Sequence, residues 1–251
     1  MLSSKRFSEG NARFYAAQVA LALGELHKNK IIYRDMKPEN ILLDVDGYIA
    51  LADFGLAKIV EENQSAMTFC GTPEYISPEI VNGVGHNKQV DWWGLGVLLY
   101  EMLIGIPPFH NKNQHVLFQY ITTREVIFPD PKKYNIIISE DAKDVIKRLL
   151  SKKPAERLGS AKDVEEVMNH PFFKPIEVEK LLKKEIEPEY KPPVNPDDKY
   201  DLRNFTAEGG DKEAMLMESV DAKSMATIKQ NEVFLEGIHT VYRNYSKISF
   251  R

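Results

Sequence analysis

The sequence has 251 residues, of which 43% are hydrophobic, 10% aromatic and 28% charged, values that are ordinary for a folded globular protein. Its net charge of −4 argues against a general binder of nucleic acid or anionic membranes, because such proteins usually carry a basic excess. No apolar run approaches the roughly 18 residues of a membrane span, and the first ten residues lack the apolar segment of a secretion signal. We therefore expect a cytoplasmic protein with no nucleic-acid partner and no direct membrane insertion. Cys70 is the only cysteine, which fits a reducing compartment.

The first predicted element is an amphipathic helix over residues 9–28. Ser8 is a suitable N-cap, Glu9 suits the positive end of the helix dipole, and apolar residues recur at helical spacing as far as Leu26. Two apolar runs follow at residues 41–43 and 48–51. They flank the turn sequence Asp-Val-Asp-Gly, which predicts a small β-hairpin.

A second, longer apolar segment at residues 90–104 predicts the centre of a helical domain. It is apolar on nearly every face, as expected for a helix that is buried all round. Further helical patterns lie at 112–122, 139–151 and 161–169. The predicted fold is therefore mainly α, with a small β-hairpin.

The character of the sequence changes after Phe173. The stretch Glu-Pro-Glu-Tyr-Lys-Pro-Pro-Val-Asn-Pro-Asp-Asp-Lys-Tyr-Asp is rich in proline and charge and cannot form a core of its own. We expect it to be an extended strap that lies on another surface.

The residues best suited to chemistry surround the predicted hairpin. Asp35, Lys37 and Asn40 precede it, and Asp53 of an Asp-Phe-Gly triplet follows it. Phosphoryl transfer needs metal ligands, a group that orients the attacking hydroxyl, and positive charge near the phosphates. Asp35 can accept the hydroxyl proton, Asn40 and Asp53 can offer oxygens to Mg²⁺, and Lys37 can reach the transferred phosphate. A single aspartate after arginine is usually a surface ion pair, and Asp-Phe-Gly is often a turn, but the combined order favours the functional interpretation.

These motifs resemble those of protein kinases, in which His-Arg-Asp, a following Asn, Asp-Phe-Gly and Ala-Pro-Glu occur in this order. Here Tyr33 replaces the histidine and Ser77 replaces the alanine. The sequence Lys-Pro-Glu-Asn implies Ser/Thr specificity. Residues 68–80 and 90–103 resemble the AGC group in particular, above all protein kinase B and the serum/glucocorticoid-regulated kinases. The resemblance implies a kinase C-terminal lobe at 1–173, an AGC C-terminal tail at 174–251, and no N-terminal lobe in the sequence.

The resemblance implies roles for the activation segment, which follows Asp-Phe-Gly. Thr68 matches the activation-loop phosphorylation site, and Arg34 and Lys58 match the cations that bind its phosphate. Thr72 resembles the threonine that contacts the catalytic aspartate. A further pair, Glu79 and Arg157, matches a buried ion pair that ties the activation segment to the lobe.

Three other residues, Glu101, Asp91 and Leu42, have both functional and structural interpretations. Glu101 lies near the C-terminal end of an apolar helix, where the dipole disfavours a carboxylate, so a positive partner is expected. By resemblance, Glu101 and Glu39 bind basic residues upstream of the phosphorylated Ser or Thr, and Glu39 also lies at the nucleotide site; a structural salt bridge is the alternative for Glu101. Asp91 either interacts favourably with the dipole of its helix, or holds the backbone of the catalytic loop, which is the loop that carries Asp35, or does both. Leu42 matches the apolar residue beneath adenine, or packs in the core.

The tail resembles the AGC C-terminal extension. Phe205 matches an adenine contact, although Thr206 replaces the aspartate of the family motif. Ser246 follows Tyr242 and Tyr245 at the spacing of a phosphorylated hydrophobic motif, which in the family binds the N-terminal lobe.

The resemblance implies a monomeric Ser/Thr protein kinase that uses ATP and Mg²⁺, acts on protein substrates in basic contexts, and is activated by an upstream kinase. The nucleus is a second expected location. Without an N-terminal lobe we expect this chain to bind ATP weakly and to be inactive alone. A non-catalytic lobe that binds substrates or partners is the main alternative, and a structural protein of unrelated fold is a remote third.

Overall fold

The computed structural model of the chain describes residues 6–61 and 64–193. Within these ranges the protein is mostly helical with two small antiparallel sheets, which confirms the predicted fold class. The helices are α1 (Glu9–Lys28), α2 (Pro78–Val81), α3 (Gln89–Ile104), α4 (Gln114–Thr123), α5 (Pro131–Tyr134), α6 (Glu140–Leu149), α7 (Asp163–Met168) and α8 (Val178–Leu182). The strands are β1 (Ile31–Ile32), β2 (Ile41–Leu43), β3 (Ile49–Leu51) and β4 (Lys58–Ile59).

Helix α3 is the centre of the core, as its sequence predicts. Every residue from Val90 to Leu103 is buried except Glu101. The helix packs against α1 on one side and against α6 on another. It ends at Gly105, whose φ of 93° is the left-handed conformation that commonly stops helices. Helices α1 and α6 therefore pack around α3, which is the buried central helix.

Helix α1 begins and ends where its sequence signals lie. The Ser8 side chain accepts a hydrogen bond from the Asn11 amide at 3.1 Å, so it caps one of the donors that a helix start leaves unpaired. The helix ends at Lys28, with Asn29 as C-cap. This places the segment from β1 to β4, which carries the site, directly after α1.

The β2–β3 hairpin has the predicted position, with Leu42 paired to Ala50 across it. A second sheet, in which β1 pairs with β4, was not predicted. Each of its strands has two residues, too few to show an alternating pattern. Together the two sheets hold the segments before and after the hairpin side by side, which brings Asp35 and Asp53 toward one place.

The first part of the tail packs on the lobe. It contains the short helix α8, which precedes the expected strap, and Leu181 of this helix is buried. The described part of the strap itself, residues 187–193, contains no helix. The Tyr48 hydroxyl donates to the Ile186 carbonyl at 2.7 Å, and the Lys184 ammonium lies 3.0 Å from Asp44. Lys184 and Ile186, which follow α8, therefore lie against the β2–β3 hairpin.

Three of the predicted tail features lie outside the described residues: Phe205, Ser246 and the aromatic pair Tyr242 and Tyr245. In the part that is described, no helix has the length and hydrophobicity needed to cross a membrane.

Candidate active site

Asp35 is the most tightly held carboxylate of the candidate site. It is 5% exposed, and its Oδ2 accepts a hydrogen bond from Asn40 Nδ2 at 2.8 Å and lies 2.9 Å from the Lys37 ammonium. Asn40 Nδ2 also donates to the Asp35 carbonyl at 2.9 Å. Thr72 Oγ1 lies 3.5 Å from Asp35 Oδ1, at the outer limit of a hydrogen bond. The structure therefore brings Asp35, Lys37, Asn40 and Thr72 together.

Asp53 lies beside this cluster but is held loosely. The Ala52 amide donates to the Asn40 carbonyl at 2.8 Å, so the backbone positions the residue before Asp53 against Asn40. Asp53 is exposed, and its Oδ1 accepts from the Gly55 amide at 3.0 Å. Its φ is 51°, in the left-handed region that few residues other than glycine, asparagine and aspartate adopt. This strain turns the backbone at the point where the side chain enters the cleft.

The charge on Lys37 is set by these acids. Its hydrogen bond to Asp35 raises the pKa of Lys37 above the ordinary value, while burial opposes the rise, and Asp53 and Glu39 add to it. The lysine is therefore a cation at neutral pH, and it lies among the three carboxylates.

The donors suit a magnesium ion that is shared with phosphates. Asp53 provides a carboxylate that faces solvent, and Asn40 uses its amide nitrogen for Asp35, which leaves its carbonyl oxygen for a cation. Mg²⁺ prefers oxygen ligands and is usually bound by one or two carboxylates plus substrate phosphates and water. No group of three or more His, Cys, Asp or Glu side chains that could hold a metal occurs in residues 6–61 and 64–193. The two oxygens therefore fit a shared ion rather than a complete protein site.

Asp91 fixes the backbone of the two residues that precede Asp35. Its Oδ2 accepts from the Tyr33 amide at 2.9 Å and its Oδ1 accepts from the Arg34 amide at 2.8 Å. Arg34 has a φ of 66°, which is unfavourable for a residue with a Cβ and is held here by the buried carboxylate. Asp91 also lies in the first turn of α3, so its position suits both of the roles considered for it.

The activation segment presents Thr68 to solvent. Thr68 is exposed, and Arg34 and Lys58 both act on the pKa of Cys70, two residues further on. Burial raises the pKa of the Cys70 thiol above its ordinary value despite these cations, which agrees with a structural cysteine. Within the described ranges, Arg34 Nη1 is buried without a hydrogen-bond partner. A donor in this state suits an anion that is added nearby.

Glu79 and Arg157 form the buried pair that the motif predicts. The two guanidinium nitrogens lie 2.6 and 2.9 Å from the two carboxylate oxygens, and Arg157 also donates to the Gln89 carbonyl at 2.8 Å. The Arg157 side chain is fully buried. This bidentate contact joins α2, at the end of the activation segment, to the lobe.

The predicted substrate and nucleotide contacts are more exposed. Glu39 is exposed, and Glu101 accepts a hydrogen bond from the Tyr75 hydroxyl. The described part of the chain contains no ion pair of Glu101, which contradicts the alternative of a structural salt bridge there; the substrate-binding role stays a prediction. Leu42 is 47% exposed, which contradicts the alternative that it packs in the core.

Sequence reasoning missed Tyr75, His27, Asp163 and His86. The partners of Tyr75, His27 and Asp163 lie 26 to 136 residues away in the chain, and no local pattern signals such contacts. The Nε2 of His86 is buried without a partner within the described ranges, and burial, together with Arg34, lowers its pKa. A buried histidine beside other polar residues was the available signal, but it does not indicate which residue the histidine contacts.

Comparison with known proteins identifies the family. The protein kinase domain family matches residues 1–173. The chain belongs to the protein kinase family. It is 48% identical over 204 residues to the serine/threonine-protein kinase YPK2/YKR2 of Saccharomyces cerevisiae, covering 81% of this chain and 29% of that protein. It is 46% identical over 212 residues to the RAC serine/threonine-protein kinase of Drosophila melanogaster, covering 82% of this chain and 34% of that protein.

A third relative is also a serine/threonine-protein kinase. Serine/threonine-protein kinase Sgk1 of Gallus gallus is 44% identical over 207 residues, covering 82% of this chain and 46% of that kinase. These relatives confirm the resemblance to AGC-type Ser/Thr kinases. The chain spans less than half of the length of each of these three kinases. Protein kinases in general use ATP and Mg²⁺.

Proposed function

We propose that the protein to which this chain belongs transfers the γ-phosphoryl group of ATP to Ser or Thr of protein substrates. The observation that carries the proposal is the cluster around Asp35, whose buried carboxylate lies within 2.9 Å of both the Lys37 ammonium and the Asn40 side-chain amide. Asp53 is close by along the chain from Ala52, which bonds to Asn40. A purely structural role would rarely require an aspartate, a lysine and an asparagine side chain in contact at one site.

Each residue of the cluster has a distinct task in the proposed reaction. Asp35 orients the substrate hydroxyl and accepts its proton as the oxygen attacks the γ-phosphorus. Lys37 places positive charge beside the transferred group, and Thr72 lies against the other oxygen of Asp35. Asn40 and Asp53 are the residues that would hold Mg²⁺. The ion supplies charge neutralisation for the phosphates when it is bound.

Two acids, the exposed Glu39 and the half-buried Glu101, support a preference for basic substrates. Glu39 and Glu101 present carboxylates that arginine can pair with bidentately. We propose that substrates carry arginine upstream of the acceptor, that Leu42 and Phe205 contact the adenine, and that an upstream kinase phosphorylates Thr68. The proposal includes a monomer in the cytoplasm and nucleus, with a C-terminal lobe at 1–173, a regulatory tail at 174–251, and phosphorylation of that tail at Ser246.

The experiment compares this chain with a chimaera in which the N-terminal kinase lobe of a relative such as Sgk1 precedes it. Both are given Mg·ATP and a library of Ser and Thr peptides. We expect transfer by the chimaera and neither transfer nor micromolar ATP binding by the chain alone, because the parts that cover ATP phosphates in kinases belong to the other lobe. A folded chimaera that binds Mg·ATP and substrate peptide but transfers no phosphate would favour the non-catalytic alternative.

A further inference from the structure

Asp163 lies at the start of α7, far along the chain from the candidate active site, and uses both carboxylate oxygens. Its Oδ1 is 2.8 Å from His27 Nδ1 and accepts from Trp92 Nε1 at 3.0 Å, while its Oδ2 accepts from the Lys88 ammonium at 2.9 Å. Asp163 has a φ of 53°. A non-glycine residue adopts this left-handed conformation only where its surroundings hold it there.

Two glycines allow this close approach. A Cβ on Gly24, one turn before His27 in α1, would lie 2.5 Å from a side-chain carbon of Val164. A Cβ on Gly159, which has a φ of +91°, would lie 2.6 Å from the Trp92 ring. Helix α7 and the loop before it can therefore pack against α1 and α3 so closely that Asp163 reaches His27.

His27 joins Asp163 to Asp91. Its Nε2 lies 2.8 Å from Asp91 Oδ2, and its side chain is fully buried. Ionised carboxylates only accept hydrogen bonds, so a ring with a carboxylate at each nitrogen must carry both protons and be an imidazolium. Burial alone would lower the pKa of His27, but the hydrogen bonds to Asp163 and Asp91 outweigh it and raise the pKa above its ordinary value. Burial would raise the pKa of Asp163, and the bonds from His27 and Lys88 hold it below its ordinary value.

The Asp91 oxygen that faces His27 also holds the catalytic loop. Asp91 Oδ2 accepts from both His27 and the Tyr33 amide, and Oδ1 accepts from the Arg34 amide. Asp91 is 1% exposed, and a buried carboxylate needs a positive partner. The charged side chains around the ring are Asp91 from α3, Lys88 directly before α3, and Asp163 from α7.

We propose that Asp163 is a positioning residue for the catalytic loop, acting through the imidazolium of His27 on Asp91. The second carboxylate keeps His27 charged at neutral pH, and the charged ring holds Asp91 in place beneath Tyr33 and Arg34. The importance of this loop for catalysis rests on the proposed function, but the coupling itself does not.

The sign of the pH dependence follows from the raised pKa of His27. The stabilisation is complete below the ordinary histidine pKa of about 6.5 and is lost as the pH rises through the higher value of the folded state. The lowered pKa of Asp163 sets the acidic limit, because its contribution disappears as the pH falls through that lowered value.

The test measures amide hydrogen exchange of Tyr33 and Arg34 by NMR in the 251-residue chain, corrected for intrinsic exchange rates, together with the His27 titration. Asp163→Asn retains a carbonyl that can accept from His27 but removes the charge. We expect the pKa of His27 to fall, and the two amides to exchange about tenfold faster or more at neutral pH, the size expected for weakening a hydrogen bond to a charged group. Asp144→Asn is the matched control, because Asp144 pairs with another buried histidine, His170, at 2.9 Å. It should leave both amides unchanged.

Exchange at Tyr33 and Arg34 that stays at the wild-type rate in Asp163→Asn would overturn the proposal. Acceleration that is equal at Leu99, in the middle of α3, would overturn it too, because it would report general destabilisation. If Asp163→Asn does not fold, the wild-type chain decides: protection of the two amides relative to Leu99 must decline as His27 loses its proton. None of these measurements needs kinase activity, so this proposal and the proposed function can fail separately.

Discussion

Asp35 and Asp53 are proposed to act on the same phosphoryl group, yet the fold holds them very differently. Asp35 is 5% exposed, and the side chains of Lys37, Asn40 and Thr72 converge on its carboxylate. Asp53 is exposed and accepts one described hydrogen bond, from the backbone of Gly55, in a strained left-handed conformation. The two carboxylates are neighbours in space, but only one of them is fixed by the lobe.

The difference indicates which part of the catalytic geometry this lobe supplies by itself. A general base contributes most when its position is set before the substrate binds, and the contacts of Asp35 provide this. A metal ligand can be ordered by the ion and the phosphates that it binds, so Asp53 needs less support from the protein. In the proposed mechanism, the lobe therefore carries a preformed base and a metal ligand whose site is completed when the nucleotide binds.

The activation segment shows the same contrast along its length. Thr68 is exposed, whereas Glu79 at the C-terminal end is 4% exposed and paired with Arg157. One end of the segment is thus part of the core, and the middle is accessible to a modifying enzyme. A phosphate on Thr68 would add about −1.5 to −2 charge to this part of the segment.

The largest effect is expected at the fixed base. In the chimaera, Asp35→Asn should lower kcat by about 10²–10⁴-fold, the usual contribution of a positioned general base, with the affinity for Mg·ATP nearly unchanged. Steady-state kinetics and calorimetry measure the two quantities. Asp46→Asn, in the exposed hairpin turn, is the matched control and should retain wild-type turnover. Full turnover by Asp35→Asn would remove Asp35 from the mechanism.

The next effect concerns the anchored end of the activation segment. Arg157→Met leaves the Glu79 carboxylate buried without its partner, which should destabilise the chain by about 3–5 kcal/mol. Urea denaturation of the 251-residue chain measures the loss. Lys153→Met removes a cation that pairs with Glu156 at the surface and should leave the unfolding midpoint unchanged. Equal midpoints for Arg157→Met and the wild type would show that the buried pair does not anchor the segment.

A smaller effect is expected at the loosely held aspartate. Asp53→Asn tolerates the same left-handed backbone but loses the charge, so in the chimaera it should weaken Mg·ATP binding by about tenfold or more. The unfolding midpoint without nucleotide should stay the same, because the side chain is exposed. Calorimetry with and without Mg²⁺ separates metal-dependent from metal-independent binding. Unchanged Mg·ATP affinity would contradict the ligand role and the contrast with Asp35.

The sequence predicted the long elements and the clustered motif better than the contacts between distant residues. Helix α1 was found because apolar residues recur along it at helical spacing, α3 because nearly all of its residues are apolar, and the hairpin because its turn has a sequence signal. Strand β4 has two residues and shows no period. The Tyr75–Glu101 bond and the Asp163–His27–Asp91 chain were missed because they depend on how the activation segment and α7 pack against α1 and α3, and local propensity does not encode that packing.

The smallest expected effect concerns Glu101, for which substrate binding and a structural role make different predictions. Burial and the hydrogen bond to Glu101 raise the pKa of Tyr75. Its hydroxyl is therefore protonated near neutral pH and donates to the Glu101 carboxylate. In the chimaera, Glu101→Gln should reduce the preference for arginine upstream of the acceptor by about threefold to fivefold, the size of one partly exposed ion pair. Tyr75→Phe keeps the carboxylate and removes its hydroxyl partner, so it should change the preference less. A positional peptide library measures both profiles, and thermal unfolding is followed in parallel. If Glu101→Gln lowers stability and leaves the arginine preference intact, the carboxylate serves to hold Tyr75, and substrate recognition must be assigned to Glu39 and other acids of the cleft.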